Sequence, residues 1–186
     1  MKYWDFLDKV AHDIRWSNIL VTGPQRSGTT LVAHAIAYDL GLSYCDEDDI
    51  GWEGCSQNKE DVLRQTLAYS FRRGCVIQAP ACADICHTLP EHTLIVFVRR
   101  DVQDIEKSQK RIEWAYEQIE MDKYPPEYHQ GSIAETKYHY WESVQRDQIR
   151  YSYEIEYESL REHPLWVEDK QEFTARQWRL DGLGTV

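Results

Sequence analysis

Two groups of residues have the types and spacing to hold an anion. The first is Gly23-Pro24-Gln25-Arg26-Ser27-Gly28-Thr29-Thr30. It lies between a short apolar run, Ile19 to Val21, and a helical run, Thr30 to Leu40, that Gly41 stops. A turn from a buried strand into a helix leaves backbone N–H groups unpaired and pointing at one spot. Phosphate or sulfate suits that spot. Taken alone, such a loop is also an ordinary strand–helix joint. The second group is Arg100 and Ser108, an arginine at the end of the apolar run Thr93 to Val98 and a hydroxyl eight positions later. At roughly 100° per residue, Ser108 falls at the edge of the stripe Val102, Ile105, Ile112, Tyr116 and Ile119. An arginine fork and an inward hydroxyl can share one phosphate.

The loop is close to the mononucleotide motif G-x-x-x-x-G-K-[ST], with one change. Gly23 and Gly28 keep the spacing and Thr30 fills the last hydroxyl position, but Thr29 replaces the lysine that reaches the β- and γ-phosphates. Arg26 supplies a cation three residues earlier. A strand ending in Arg99-Arg100, where an NTPase often has an acid for magnesium, also argues for an anion rather than a metal.

The string Pro24-x-Arg26-Ser27-Gly28-Thr29-Thr30 resembles the 5′-phosphosulfate loop of the sulfotransferases that use 3′-phosphoadenosine 5′-phosphosulfate (PAPS). Arg100 to Ser108 resembles that family's 3′-phosphate motif, with Asp104 at its acidic position. Ile155-Glu156-Tyr157-Glu158-Ser159-Leu160 resembles a third family segment, whose tyrosine lies near the adenine; Ser159 replaces its usual acid. The resemblance implies that Arg26, Ser27, Gly28, Thr29, Thr30, Arg100, Ser108 and Tyr157 bind PAPS, and that adenosine 3′,5′-bisphosphate (PAP) is released. It implies that Arg26 stabilises charge on the bridging oxygen during in-line displacement. No metal is required. The chain departs from the family where cytosolic members carry lysine in the loop and tryptophan at position 31. No Arg-Lys-Gly segment stands near the C-terminus; Arg176 and Arg179 are candidates to replace it, and nothing in the sequence assigns them that role.

A general base for the acceptor is not found where cytosolic members place a histidine, since Gln78-Ala79-Pro80 stands there. Other branches use a glutamate after the second strand, which makes Glu47 the first candidate. Asp48, Glu53, Asp84, His87 and His34 remain open. A P-loop kinase for a small metabolite and a catalytically inactive nucleotide-binding or interaction module are the alternatives to a sulfotransferase.

The 186 residues carry 21 basic and 32 acidic side chains, a net charge of −11. That balance disfavours a nucleic-acid partner. The expected partner is a small-molecule, sugar or peptide acceptor. The N-terminus lacks the apolar core of a signal peptide, and no run approaches a membrane span. Five cysteines without paired short spacings fit a reducing compartment. The expectation is a cytoplasmic chain without a membrane anchor.

The supporting elements follow from periodicity. Trp4, Leu7, Ala11 and Ile14 predict a helix over 2–16. Strands are expected at 19–21, 42–45, 75–78, 93–98 and 151–157. Helices are expected at 30–40, from Asn58 to Arg73, at 102–121, and from a Ser132/Glu135 capping box to about 149. Alternating strands and helices predict a three-layer P-loop-type α/β fold, a mainly parallel sheet covered on both faces, in one domain over 1–186.

Overall fold

The computed structural model describes residues 1–12, 16, 18–47 and 74–166. The chain runs α1 (Tyr3–Val10), β1 (Asn18–Thr22), α2 (Thr29–Leu40), β2 (Ser43–Asp46), β3 (Cys75–Gln78), β4 (Thr93–Arg99), α3 (Val102–Arg111), α4 (Glu117–Met121), α5 (Ile133–Tyr140) and β5 (Ser152–Glu156). The helix expected from Asn58 to Arg73 lies outside the described residues, as do Asp48, Glu53, Arg176 and Arg179.

The five strands form one parallel sheet in the order β2-β3-β1-β4-β5. Leu20 lies level with Ile77 on one side and with Ile95 on the other. Side chains alternate across such a sheet, and β1 and β4 are apolar at both parities. Ile19, Val21, Leu94, Val96 and Val98 join a core with Phe6 and Val10 of α1 and Val32 and Ile36 of α2. Leu20, Ile77, Ile95 and Phe97 join the opposite core with Cys82, Cys86 and Trp141. Each fully buried aliphatic side chain stabilises the fold by roughly 1.5–3 kcal/mol. Both faces are therefore covered, and the arrangement is the three-layer P-loop-type α/β fold.

The element ends have local causes. Gly41, at φ 63, closes α2, with the Leu42 N–H donating to the Ala37 carbonyl at 2.9 Å. The Asp101 carboxylate caps α3 by accepting from the amides of Gln103 and Asp104. The Ser132/Glu135 capping box forms as the sequence predicts.

Three expectations are corrected. Helix α1 is shorter than 2–16, and it buries Tyr3, Phe6 and Val10 while Trp4 stays exposed. The helical run after β4 does not continue to 121. It stops at Arg111, where Glu113 takes φ 51, and resumes at Glu117. Ile112, Tyr116 and Ile119, expected to face inward, are exposed. The run after Ser132 keeps α geometry only to Tyr140; a π turn follows over Trp141–Gln145.

Candidate functional site

β1 is followed by Gly23, whose φ of 142 and closeness to the Val98 carbonyl exclude a side chain: a Cβ there would lie 2.8 Å from that oxygen. The chain then turns, with the Ser27 N–H donating to the Pro24 carbonyl at 3.0 Å. Gly28, at φ 97, enters α2 without a side-chain cap. The first amides of α2 therefore have no side-chain cap, an arrangement that suits an anion. The Ser27 amide, expected among those donors, is instead used inside the turn.

Arg26 has φ 74, a conformation that non-glycine residues rarely adopt. Several side chains hold it. The Arg26 Nε donates to the Ser108 Oγ at 3.2 Å, and the Arg100 Nη1 donates to the Arg26 carbonyl at 3.2 Å. The Gln109 Nε2 donates to the Gln25 carbonyl at 3.2 Å. The loop, the end of β4 and helix α3 thus meet at one place, and Ser108 is buried there.

Tyr157 joins them. A Cβ on Gly28 would come within 2.1 Å of the Tyr157 ring, so glycine is needed for contact as well as for φ. The Arg100 guanidinium lies 4.6 Å from the centroid of the same ring, and Trp166 packs against it at 4.9 Å. Tyr157 is thus a pedestal between the loop and Arg100.

The site is basic inside an acidic protein. Burial, followed by repulsion from Arg111 and Arg100, holds the Arg26 guanidinium below its usual range. Two buried polar atoms at the loop, Ser27 Oγ and Arg100 Nε, have no hydrogen-bond partner among the described residues; the Glu158 carboxylate is 4.0 Å from the latter. A bound oxyanion suits both.

The paired arginines divide. Arg99 turns to the other side, where it binds Glu154 at 2.6 Å and Glu142 at 2.5 Å. Burial works against its charge, and the two carboxylates outweigh burial to raise its pKa. Only Arg100 faces the loop. Asp101 is occupied as a helix cap, and no cluster of three or more His, Cys, Asp or Glu suited to a metal occurs among the described residues.

The two loop threonines also differ. Thr29 is buried and its hydroxyl accepts from the Gln78 Nε2 at 3.1 Å, whereas Thr30 is half-buried. Glu47 lies beyond β2 and its Oε2 accepts from the Ala81 amide at 3.2 Å. Two strand spacings separate β2 from β1, roughly 10 Å. Asp84 and His87 stand in the turns after β3, and His34 is buried in α2, stacked on Tyr44 at 3.7 Å.

Four residues around the site are absent from the sequence motifs. Gln109 and Arg111 flank Ser108 on α3 and were open to inference from it. Tyr138 and Lys137 on α5 gave no signal. The Tyr138 hydroxyl accepts from the Arg100 amide at 2.9 Å and donates to its carbonyl at 2.8 Å. Burial pushes that phenol up to about 12.

No family model and no curated protein sequence matches the chain. Among solved structures, it is similar to shikimate kinase from Acinetobacter baumannii in complex with shikimate. That likeness has 12% identity, covers 90% of this chain and 93% of that chain, and has a TM-score of 0.44. At that distance the site must be read from its own residues.

Proposed function

We propose that the chain is a PAPS-dependent sulfotransferase acting on a hydroxyl or amine acceptor. One observation carries the reading: Arg26 of the loop is hydrogen-bonded both to Ser108 and to Arg100. These residues belong to the two segments that resemble the 5′- and 3′-phosphate sites, and they lie close enough for one nucleotide to span them. The acceptor oxygen or nitrogen attacks sulfur as the bond from sulfur to the bridging phosphate oxygen breaks. PAP leaves, and the acceptor proton passes to a base. Arg26, the α2 amides and the Thr30 hydroxyl neutralise the charge that develops. Glu47 is the proposed base, on the β2–β3 side of the loop.

Titration with PAP tests the donor site. Arg100→Ala should weaken binding about 10- to 100-fold, the loss of a charge-assisted contact. Removing the 3′-phosphate from the ligand should weaken binding similarly. Arg26→Ala should lower turnover more than donor affinity. Equal affinity of wild type for PAP and its 3′-dephosphorylated form would end the proposal.

A P-loop kinase for a small metabolite is the second reading. The solved structure named above is a kinase, and the fold serves this reading at least as well as the first. Thr29 in the lysine position and Arg100 at the end of β4 favour the sulfotransferase. Magnesium-dependent ATP turnover would reverse that order. Tight PAP binding without transfer to any acceptor would instead indicate an inactive nucleotide-binding module.

A further inference from the structure

We propose that Lys137 is a positioning residue for Arg26, acting from α5 through Gln25 as part of a buried clamp with Glu120. The Lys137 side chain is fully buried. Its Nζ donates to the Gln25 Oε1 at 2.5 Å, to the Pro80 carbonyl at 3.1 Å and to the Glu120 Oε2 at 2.9 Å. An ammonium has three hydrogens to donate, and all three are used. The three acceptors belong to the loop, the turn after β3 and helix α4. One buried nitrogen therefore fixes three separate segments relative to α5.

Gln25 is the residue before Arg26, and it is held at both ends. Lys137 takes its side chain, and the Gln109 Nε2 donates to its carbonyl at 3.2 Å. With Gln25 fixed, the peptide leading into Arg26 cannot rotate freely. That keeps Arg26 at φ 74, with its Nε on Ser108. Such a backbone conformation persists only where its surroundings over-determine it.

The electrostatics fit a clamp held for its geometry. Burial disfavours charge on Glu120, but Lys137 and Lys123 outweigh it and hold the carboxylate at about 2. Burial dominates at Lys137 and lowers its pKa, with Glu120 opposing. Replacing a buried ion pair by apolar residues is often neutral or stabilising, whereas removing one partner is not. Stability alone therefore does not require the pair.

That difference supplies the test. Lys137→Met should destabilise the protein, and the double variant Lys137→Met/Glu120→Leu should regain stability in denaturant melts. The Ser27 amide, bonded to the Pro24 carbonyl across Gln25 and Arg26, reports loop shape by hydrogen exchange. It should exchange at least about tenfold faster in the double variant than in wild type. Gln25→Met leaves the ion pair in place, with one Lys137 donor unpaired, and should show the same acceleration, which serves if the double variant does not fold. Wild-type exchange at Ser27 in either stable variant would overturn the clamp. The clamp's effect on donor binding rests on the sulfotransferase reading, and PAP affinity should fall at least about tenfold in Gln25→Met. If wild type does not bind PAP, the sulfotransferase reading fails while the exchange result still judges the clamp.

Discussion

A methyl group at position 28 would have nowhere to go. Gly28→Ala must place a Cβ against the Tyr157 ring and adopt φ 97. Strain at such a φ costs about 1–3 kcal/mol, and the clash adds to it. Gly28→Ala should therefore melt earlier and lose PAP binding in the same titration that scores Arg100→Ala. The pedestal role separates the Tyr157 ring from its hydroxyl. Tyr157→Phe should keep near-native PAP affinity, because the ring face under Arg100 remains. Tyr157→Ala should weaken it about 3- to 30-fold, the range of a cation–π contact. A large loss in Tyr157→Phe would refute the pedestal. Arg26, Gly28 and Arg100 stood out as candidates because glycine spacing and a strand-end arginine are local signals; Ser108 followed from its spacing to Arg100, and Tyr157 came only with the family resemblance. Lys137 did not stand out. A lysine within a polar helix is ordinarily solvated, and only the tertiary structure shows its three acceptors.

Helix starts were easier to read than helix ends. The Ser132/Glu135 box was visible as two residue types three apart, and both of its hydrogen bonds form. Ser132→Ala should cost about 1 kcal/mol in a denaturant melt, and Ser132→Asp should cost less. The break at Arg111 was not visible, because apolar residues continue at helical spacing through Ile112, Tyr116 and Ile119. Periodicity reports which face is apolar, and it does not report a backbone reversal at Glu113. Helix α1 shows the related error. Tyr3, Phe6 and Val10 form a stripe one position away from the Trp4 stripe, and both are helical. Trp4 stacks on His163 at 5.6 Å instead of entering the core.

Across the whole molecule, strand alternation was enough to predict a parallel sheet covered on both faces. The order β2-β3-β1-β4-β5 was not readable, since buried parallel strands look alike in sequence. The net charge of −11 concealed the gathering of Arg26, Arg100 and Arg111, which lie far apart in the chain. Glu120 gives global stability a predictable pH dependence. Its folded value of about 2 lies below its ordinary 4.5. A depressed carboxylate contributes fully above the unfolded value and loses its contribution as the folded value is approached. Stability should therefore fall between about pH 4.5 and pH 2 by on the order of 3 kcal/mol. Lys137→Met/Glu120→Leu should lose less over that window. An identical acid limb in the two proteins would show that other carboxylates govern it.

Arg99 and Arg100 are neighbours on one chain, yet one meets carboxylates and the other meets the loop. Which guanidinium faces the loop is therefore a matter of odd and even at the end of β4. Inserting a single residue just before Arg99 would put Arg99 in the place of Arg100, toward the loop, and carry Arg100 one position further past the strand end, away from both. Composition and charge would barely change, but every contact at that strand end would be rewired.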